Sequence, residues 1–262
     1  MRVAGEGEST VILLHGLLGS GDIFGAVFDE LADEHRLVVP DLLGFGGSLD
    51  DRRSEFGLDA QLDALDAMAE ELALDGHWVI GGHSMGAVLG LHWAARHAAR
   101  VAAVTAWSAP LYESRQEGYA HVEGLGLLER LFAMDTPLSR RACAWSCAHR
   151  RLSSLVSVAI SPAHPVAIAR GGVQHTWAAY RGAMDEVVLT SPWTQALATL
   201  DAARIPVALA LGSADPVPVK GRARALAMDL PSVSARELGG AAHDLPLAHP
   251  AWSLDCLTSA MP

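Results

Sequence analysis

The chain has 262 residues, half of them hydrophobic, which suits one domain with a sizeable core or one domain carrying an inserted subdomain. Its formal net charge of −11 repels phosphate backbones, so nucleic acid is not an expected partner. Cys143, Cys147 and Cys256 form no ladder of spacings, which argues against a disulfide framework, and Cys143, Cys147 and His149 lack the second pair of ligands a zinc site needs.

No apolar stretch is long enough to span a bilayer, and Met1-Arg2-Val3 runs into a Gly- and Glu-containing segment without the pattern of a secretory leader. The expectation is a cytoplasmic protein with no membrane partner, no cofactor and no metal. Its oligomeric state is not legible.

Short apolar runs alternate with longer amphipathic stretches, the pattern of strands joined by crossover helices. The runs are Val11 to His15, Arg36 to Pro40, His77 to Gly81, Val101 to Trp107 and Ile205 to Gly212, with a last strand at Ser232 to Leu238. Continuous apolarity, rather than alternation, suits strands covered on both faces. Leu58, Leu62, Leu65, Ala69 and Leu72 recur at helical spacing opposite Asp59, Asp63, Asp66 and Glu70, which predicts a surface helix. Met85 to Ala98 is apolar nearly all round and predicts a deeply packed helix.

Between Pro110 and Trp193 the rhythm breaks into successive helical patterns with no convincing strand. These residues are expected to form an inserted all-helical cap, with residues 1–109 and 194–262 as the α/β core. The cap carries Tyr112, Tyr119, Phe132, Trp145, Trp177, Tyr180 and Trp193, expected mainly as its own core and its seam with the sheet.

The chemistry concentrates at strand ends. His77 to Gly81 is followed by Gly82-His83-Ser84-Met85-Gly86 and then a helix, so the G-x-S-x-G pattern stands in strand–turn–helix context. Such a turn strains the serine backbone and lifts its hydroxyl above the sheet, and the flanking glycines leave room for the sharp bend. A serine hydroxyl is a weak nucleophile at neutral pH and needs a base steadied by a carboxylate. Asp215, in Gly212-Ser213-Ala214-Asp215-Pro216, and His243, in Gly239-Gly240-Ala241-Ala242-His243, follow in the order Ser, Asp, His. The Leu17 and Met85 backbone N–H groups are the expected oxyanion donors. Leu18, His83, Trp107 and Val217 are expected around the substrate.

His83 and His249 compete with His243 as base, and Asp244 and Asp185 with Asp215 as acid. Asp41 is expected to bond its own Gly-rich turn, and His15 to brace its loop.

The chain resembles the α/β-hydrolases nearly from end to end. Four motifs carry the likeness: His15-Gly16-Leu17-Leu18-Gly19-Ser20, Pro40-Asp41-Leu42-Leu43-Gly44-Phe45-Gly46-Gly47-Ser48, the Ser84 pentapeptide, and the Asp215 and His243 loops. The resemblance implies a mostly parallel sheet of about six to eight strands flanked by helices. It also implies Ser84 as nucleophile, Asp215 as acid and His243 as base. A serine at that position argues against epoxide hydrolases and haloalkane dehalogenases. Only about ten residues precede the first central strand, so the antiparallel pair the family usually places there is expected to be trimmed.

The expected activity is hydrolysis of a small, mainly apolar ester, thioester or lactone through an acyl-enzyme. One alternative is a lyase or carbon–carbon hydrolase using the same residues. The His15 to Ser20 run is similar to that of small esterases and of the menaquinone-pathway synthase, and such a lyase would need Arg115, Arg130, Arg141 or Arg181 to converge on the pocket. The other alternative is a non-catalytic receptor.

Overall fold

A computed structural model describes residues 1–125, 136–160 and 165–261. Seven strands form one sheet: β1 (Arg2–Ala4), β2 (Thr10–Leu14), β3 (Arg36–Val39), β4 (Trp78–His83), β5 (Val101–Trp107), β6 (Val207–Gly212) and β7 (Val233–Leu238). Their order is β1-β3-β2-β4-β5-β6-β7. All neighbours are parallel except β1, which runs antiparallel to β3 with Arg2 opposite Val39. The sequence reading misses β1, because three half-exposed residues at an edge give no periodicity.

The six strands read from the sequence lie where their apolar runs place them. β2 and β4 are buried along their whole length, as strands covered on both faces must be. One face packs on α1 (Leu58–Glu71) and α2 (Met85–Arg96), where Trp78 and Trp93 stack with ring centroids 4.9 Å apart. The other face carries Phe24, Phe28 and Trp107, closed by the C-terminal helix.

From β2 the chain moves outward to β3 and then crosses to β4, so neighbouring strands β2 and β4 lead into connections that diverge. Such a switch point leaves a crevice at the C-terminal strand ends, and both the His15-Gly16-Leu17 loop and Ser84 stand there.

The described residues between β5 and β6 contain helices and no strand. These are α3 (Arg115–Leu125), α4 (Pro137–Ala148), α5 (Arg150–Ile160), α6 (Val166–Gly171), and α7 (Trp177–Gly182), which runs into a π-helical turn at Ala183–Leu189, then α8 (Trp193–Ala202). Thr136 caps α4, its hydroxyl accepting from Ser139 N–H at 3.1 Å. Helices α9 (Arg222–Asp229), α10 (Leu245–Ala248) and α11 (Pro250–Thr258) complete the chain. No described helix is long and apolar enough to cross a membrane.

Candidate functional site

Ser84 is the junction of β4 and α2, with φ 54° and ψ −117°. Such a backbone is strained for any residue with a Cβ, and it is held because the surroundings over-determine it. Ser84 N–H donates to the Trp107 carbonyl at 2.8 Å, tying the turn to β5. A Cβ on Gly82 would stand 2.3 Å from the Gly86 carbonyl oxygen, and one on Gly86 2.2 Å from that of Leu14. The glycines are therefore demanded by backbone approach, α2 starting hard against β2.

Asp215 follows β6 with its carboxylate wholly shielded from solvent. His243 Nδ1–H donates to both carboxylate oxygens, at 3.0 and 3.1 Å. That tautomer leaves the Nε2 lone pair of neutral His243 available as a base. Burial alone would raise the Asp215 pKa. The bond and charge of His243, with the Val217 N–H at 2.9 Å, outweigh it and hold the carboxyl below its ordinary range. The Ser84 hydroxyl has no hydrogen-bond partner among the described residues; such contacts tighten when substrate arrives.

His15 is fully buried. Leu42 N–H donates to its Nε2 at 2.8 Å, so the proton sits on Nδ1, which donates to the Gly16 carbonyl at 2.7 Å. Burial holds its pKa below the usual value, keeping the ring neutral. The Gly16 carbonyl and the Leu17 N–H belong to one planar trans peptide. Holding the carbonyl toward His15 therefore turns the Leu17 N–H to the opposite side. Met85 N–H is the first of α2, where the helix itself offers no acceptor and its dipole favours negative charge.

Asp41 bonds the Gly47 N–H of its own turn at 2.9 Å and also the Gly21 N–H at 2.8 Å. Burial raises its pKa, but those amides more than compensate, and the group stays ionised in a structural role.

Ser84 and His243 open into one pocket of about 300 Å³, walled by Leu17, Leu18, Pro110, Tyr112, Val122, Leu125, Tyr180, Met184, Val188 and Val217. Among the described residues the wall is apolar apart from two phenols, and no described arginine or lysine enters it. Leu18 and Val217 line it, as expected from the sequence. Trp107 and His83 do not. The Trp107 indole lies on the opposite face of the sheet against Phe24 and Phe28, because side chains alternate along β5. His83 is buried under the His243 loop: a carbonyl can only accept, so its Nε2–H donates to the His243 carbonyl at 3.0 Å.

The rival histidine and carboxylates stand elsewhere. His249 is exposed at the start of α11. Asp185 accepts from Arg181 and, at 2.8 Å, from the Tyr119 hydroxyl. Asp244 heads the four-residue helix α10. Of the cap aromatics only Tyr112 and Tyr180 reach the pocket, while Trp145 is exposed and Phe132 lies outside the described residues, as does Arg130. Arg115 and Arg181 pair with Asp185, and Arg141 is exposed on α4. Cys143, Cys147 and His149 form no metal-binding group among the described residues.

Sequence reasoning missed Ser108. It follows β5 with φ 53°, is fully buried, and its hydroxyl donates to the His243 carbonyl at 3.0 Å. Its place at the C-terminal end of a central strand was the available signal. Tyr112, one of the aromatics expected in the cap core or its seam with the sheet, donates its hydroxyl to the Val217 carbonyl at 3.0 Å, joining the pocket wall to the Asp215 loop.

Residues 9–133 match the family model described as alpha/beta hydrolase fold. Lipase 3 of a Moraxella strain is 34% identical over 96 residues, which cover 37% of this chain and 29% of that protein. A probable lysophospholipase of Arabidopsis thaliana, BODYGUARD 4, is 35% identical over 116 residues, covering 43% of this chain and 28% of its own. The chain thus spans under a third of the length of these relatives. A carboxylesterase structure from Nitrososphaera gargenis superposes with a TM-score of 0.73 at 18% identity, covering 98% of this chain and 92% of that one. The chain has the α/β-hydrolase fold, with one antiparallel edge strand before the central sheet.

Proposed function

We propose that this protein is a serine hydrolase that cleaves a small, mainly apolar ester, thioester or lactone. His243 Nε2 takes the proton from Ser84 Oγ as that oxygen attacks the carbonyl carbon. Leu17 and Met85 N–H groups receive the oxyanion, and the imidazolium returns the proton to the departing alcohol or thiol. Water, activated by the same nitrogen, then releases the acid. Asp215 holds the His243 tautomer and stabilises the imidazolium.

The observation that carries this reading is the pocket itself: Ser84 and His243 share an apolar cavity, and the bonded Asp215 lies behind His243, sealed from water. No arginine among the described residues converges on the pocket, as a polyanionic lyase substrate would need. Residues 110–193 act as the cap that selects the acyl group, over a core of residues 1–109 and 194–262, and a cytoplasmic site of action belongs to the same proposal.

A fluorophosphonate probe and a panel of aryl and alkyl esters test it. Labelling on Ser84 and loss of turnover in Ser84→Ala are expected. Unlabelled Ser84, or turnover unchanged in that variant, overturns the reading, and a ligand that stabilises the protein yet is recovered intact would point to a receptor.

A further inference from the structure

The cap differs in charge from the rest of the molecule. From Thr136 to Met184 the sequence holds six arginines and not one carboxylate, although the whole chain carries thirty Asp and Glu. In the same stretch the structure leaves large apolar side chains in water. Leu138 is 66% exposed and Trp145 52% on α4; Leu152, Leu155 and Val156 are 50%, 60% and 48% exposed on α5. Helix α5 packs against both α4 and α6, so these side chains belong to one helical layer. Arg141, Arg151 and Arg170 are exposed on the same three helices.

On α5, Leu152, Leu155 and Val156 follow the three- and four-residue spacing of one helix face, while Ser153 on another face is buried. The inward side of α5 is thus occupied, and its apolar outward side is surplus to folding. Apolar and cationic side chains interspersed on exposed helices, with no carboxylate among them, match a surface that is oily within and negative at its rim.

We propose that the exposed face of α4, α5 and α6 docks on an anionic phospholipid bilayer. Arg141, Arg151 and Arg170 meet the lipid phosphates, and Leu152, Leu155, Val156 and Trp145 enter the acyl boundary. An acidic protein would satisfy the arginines and leave the apolar side chains wet. A bilayer satisfies both. No spanning segment is needed for such peripheral contact. Helix α4 also packs on α7, whose Tyr180 walls the pocket, which places the docking layer and the pocket on one set of helices.

Co-sedimentation with vesicles of phosphatidylcholine containing phosphatidylglycerol tests this at low and high salt. Binding is expected to weaken as salt screens the arginines. The pairs Leu152→Ser with Leu155→Ser, and Arg141→Gln with Arg151→Gln, should each lower the bound fraction about tenfold. Both should keep the native circular dichroism and turnover of a soluble short-chain ester. Ser84→Ala should bind vesicles like the parent, so this result is separate from the acyl-enzyme reading. The proposal falls if anionic vesicles are not bound at low salt, or if the leucine pair binds undiminished. It also falls if the leucine pair abolishes a self-association seen by ultracentrifugation in a parent that ignores vesicles. Retention on poly-glutamate equal to vesicle binding and indifferent to the leucines would assign the face to an acidic protein instead.

Discussion

His83 Nε2 lies 3.0 Å from the His243 carbonyl oxygen, and the two imidazole rings stand 4.9 Å apart between centroids. The Ser108 hydroxyl donates to that same carbonyl, also at 3.0 Å. The loop carrying the proposed base is therefore anchored by its own backbone from below, while Asp215 holds its ring. The anchorage has a cost, because His83 Nδ1 is buried without a partner and Ser108 adopts a left-handed backbone.

Removing one of those donors should loosen the base without unfolding the protein. Ser108→Ala deletes a hydroxyl and adds no bulk, so kcat is expected to fall about fivefold, in line with ~1 kcal/mol for one neutral hydrogen bond. His83→Gln, which keeps an amide donor, should fall less than His83→Leu. Steady-state kinetics across pH check this; unchanged kcat and an unchanged pH profile in Ser108→Ala would remove its positioning role.

Two glycines should respond differently to an added methyl group. Gly86→Ala pushes a Cβ into the Leu14 backbone and should destabilise the fold by about 3 kcal/mol or prevent soluble expression. At Gly16 the nearest atoms are side chains, His83 Nδ1 at 3.0 Å and Ser84 Cβ at 3.2 Å. Gly16→Ala should therefore fold, with turnover reduced far more than its melting temperature.

Stability should decline as the solution is acidified from about pH 6.5. Burial pushes His83, His92 and His175 each down to about 4, and the neighbouring His243 imidazole adds to the effect at His83. Between the two values the unfolded chain binds these protons and the folded chain does not. The unfolding free energy thus rises with pH across that window, by about 1.4 kcal/mol per pH unit for each such proton. Below it, Asp41, Asp66 and Asp215, held under the ordinary carboxylate range, contribute stability that is lost as they protonate. Urea melts from pH 4 to 7 should show this slope, reduced in His92→Gln.

The apolar pocket should discriminate by acyl length. Met184→Trp enlarges a side chain in the wall of the cavity into which Ser84 and His243 open. Activity on long-chain p-nitrophenyl esters should drop at least about tenfold while acetate hydrolysis changes little, since each lost methylene contact contributes ~0.8 kcal/mol. Equal loss on both esters would mean that the acyl chain lies elsewhere.

Local sequence determined the strand ends. Gly82 and Gly86 around Ser84, the apolar runs of β2, β4 and β6, and the order of Ser84, Asp215 and His243 are all short-range patterns, and each can be read without knowing what packs on it. The edge strand β1 escaped because its three residues pair with β3 through backbone bonds that impose no pattern on side chains. Trp107 was misplaced because alternation along β5 is invisible when both faces are apolar; only the packing of Phe24 and Phe28 shows which side its indole takes. Tertiary structure alone brought Ser108 and His83 to one carbonyl, since their partner lies 135 and 160 residues away in the chain. The pocket wall is likewise a tertiary fact. Tyr112 precedes α3, Val122 lies on α3, Tyr180 on α7 and Met184 in the π-helical turn after it, and helical periodicity tells which residues share a face but not which face meets Ser84.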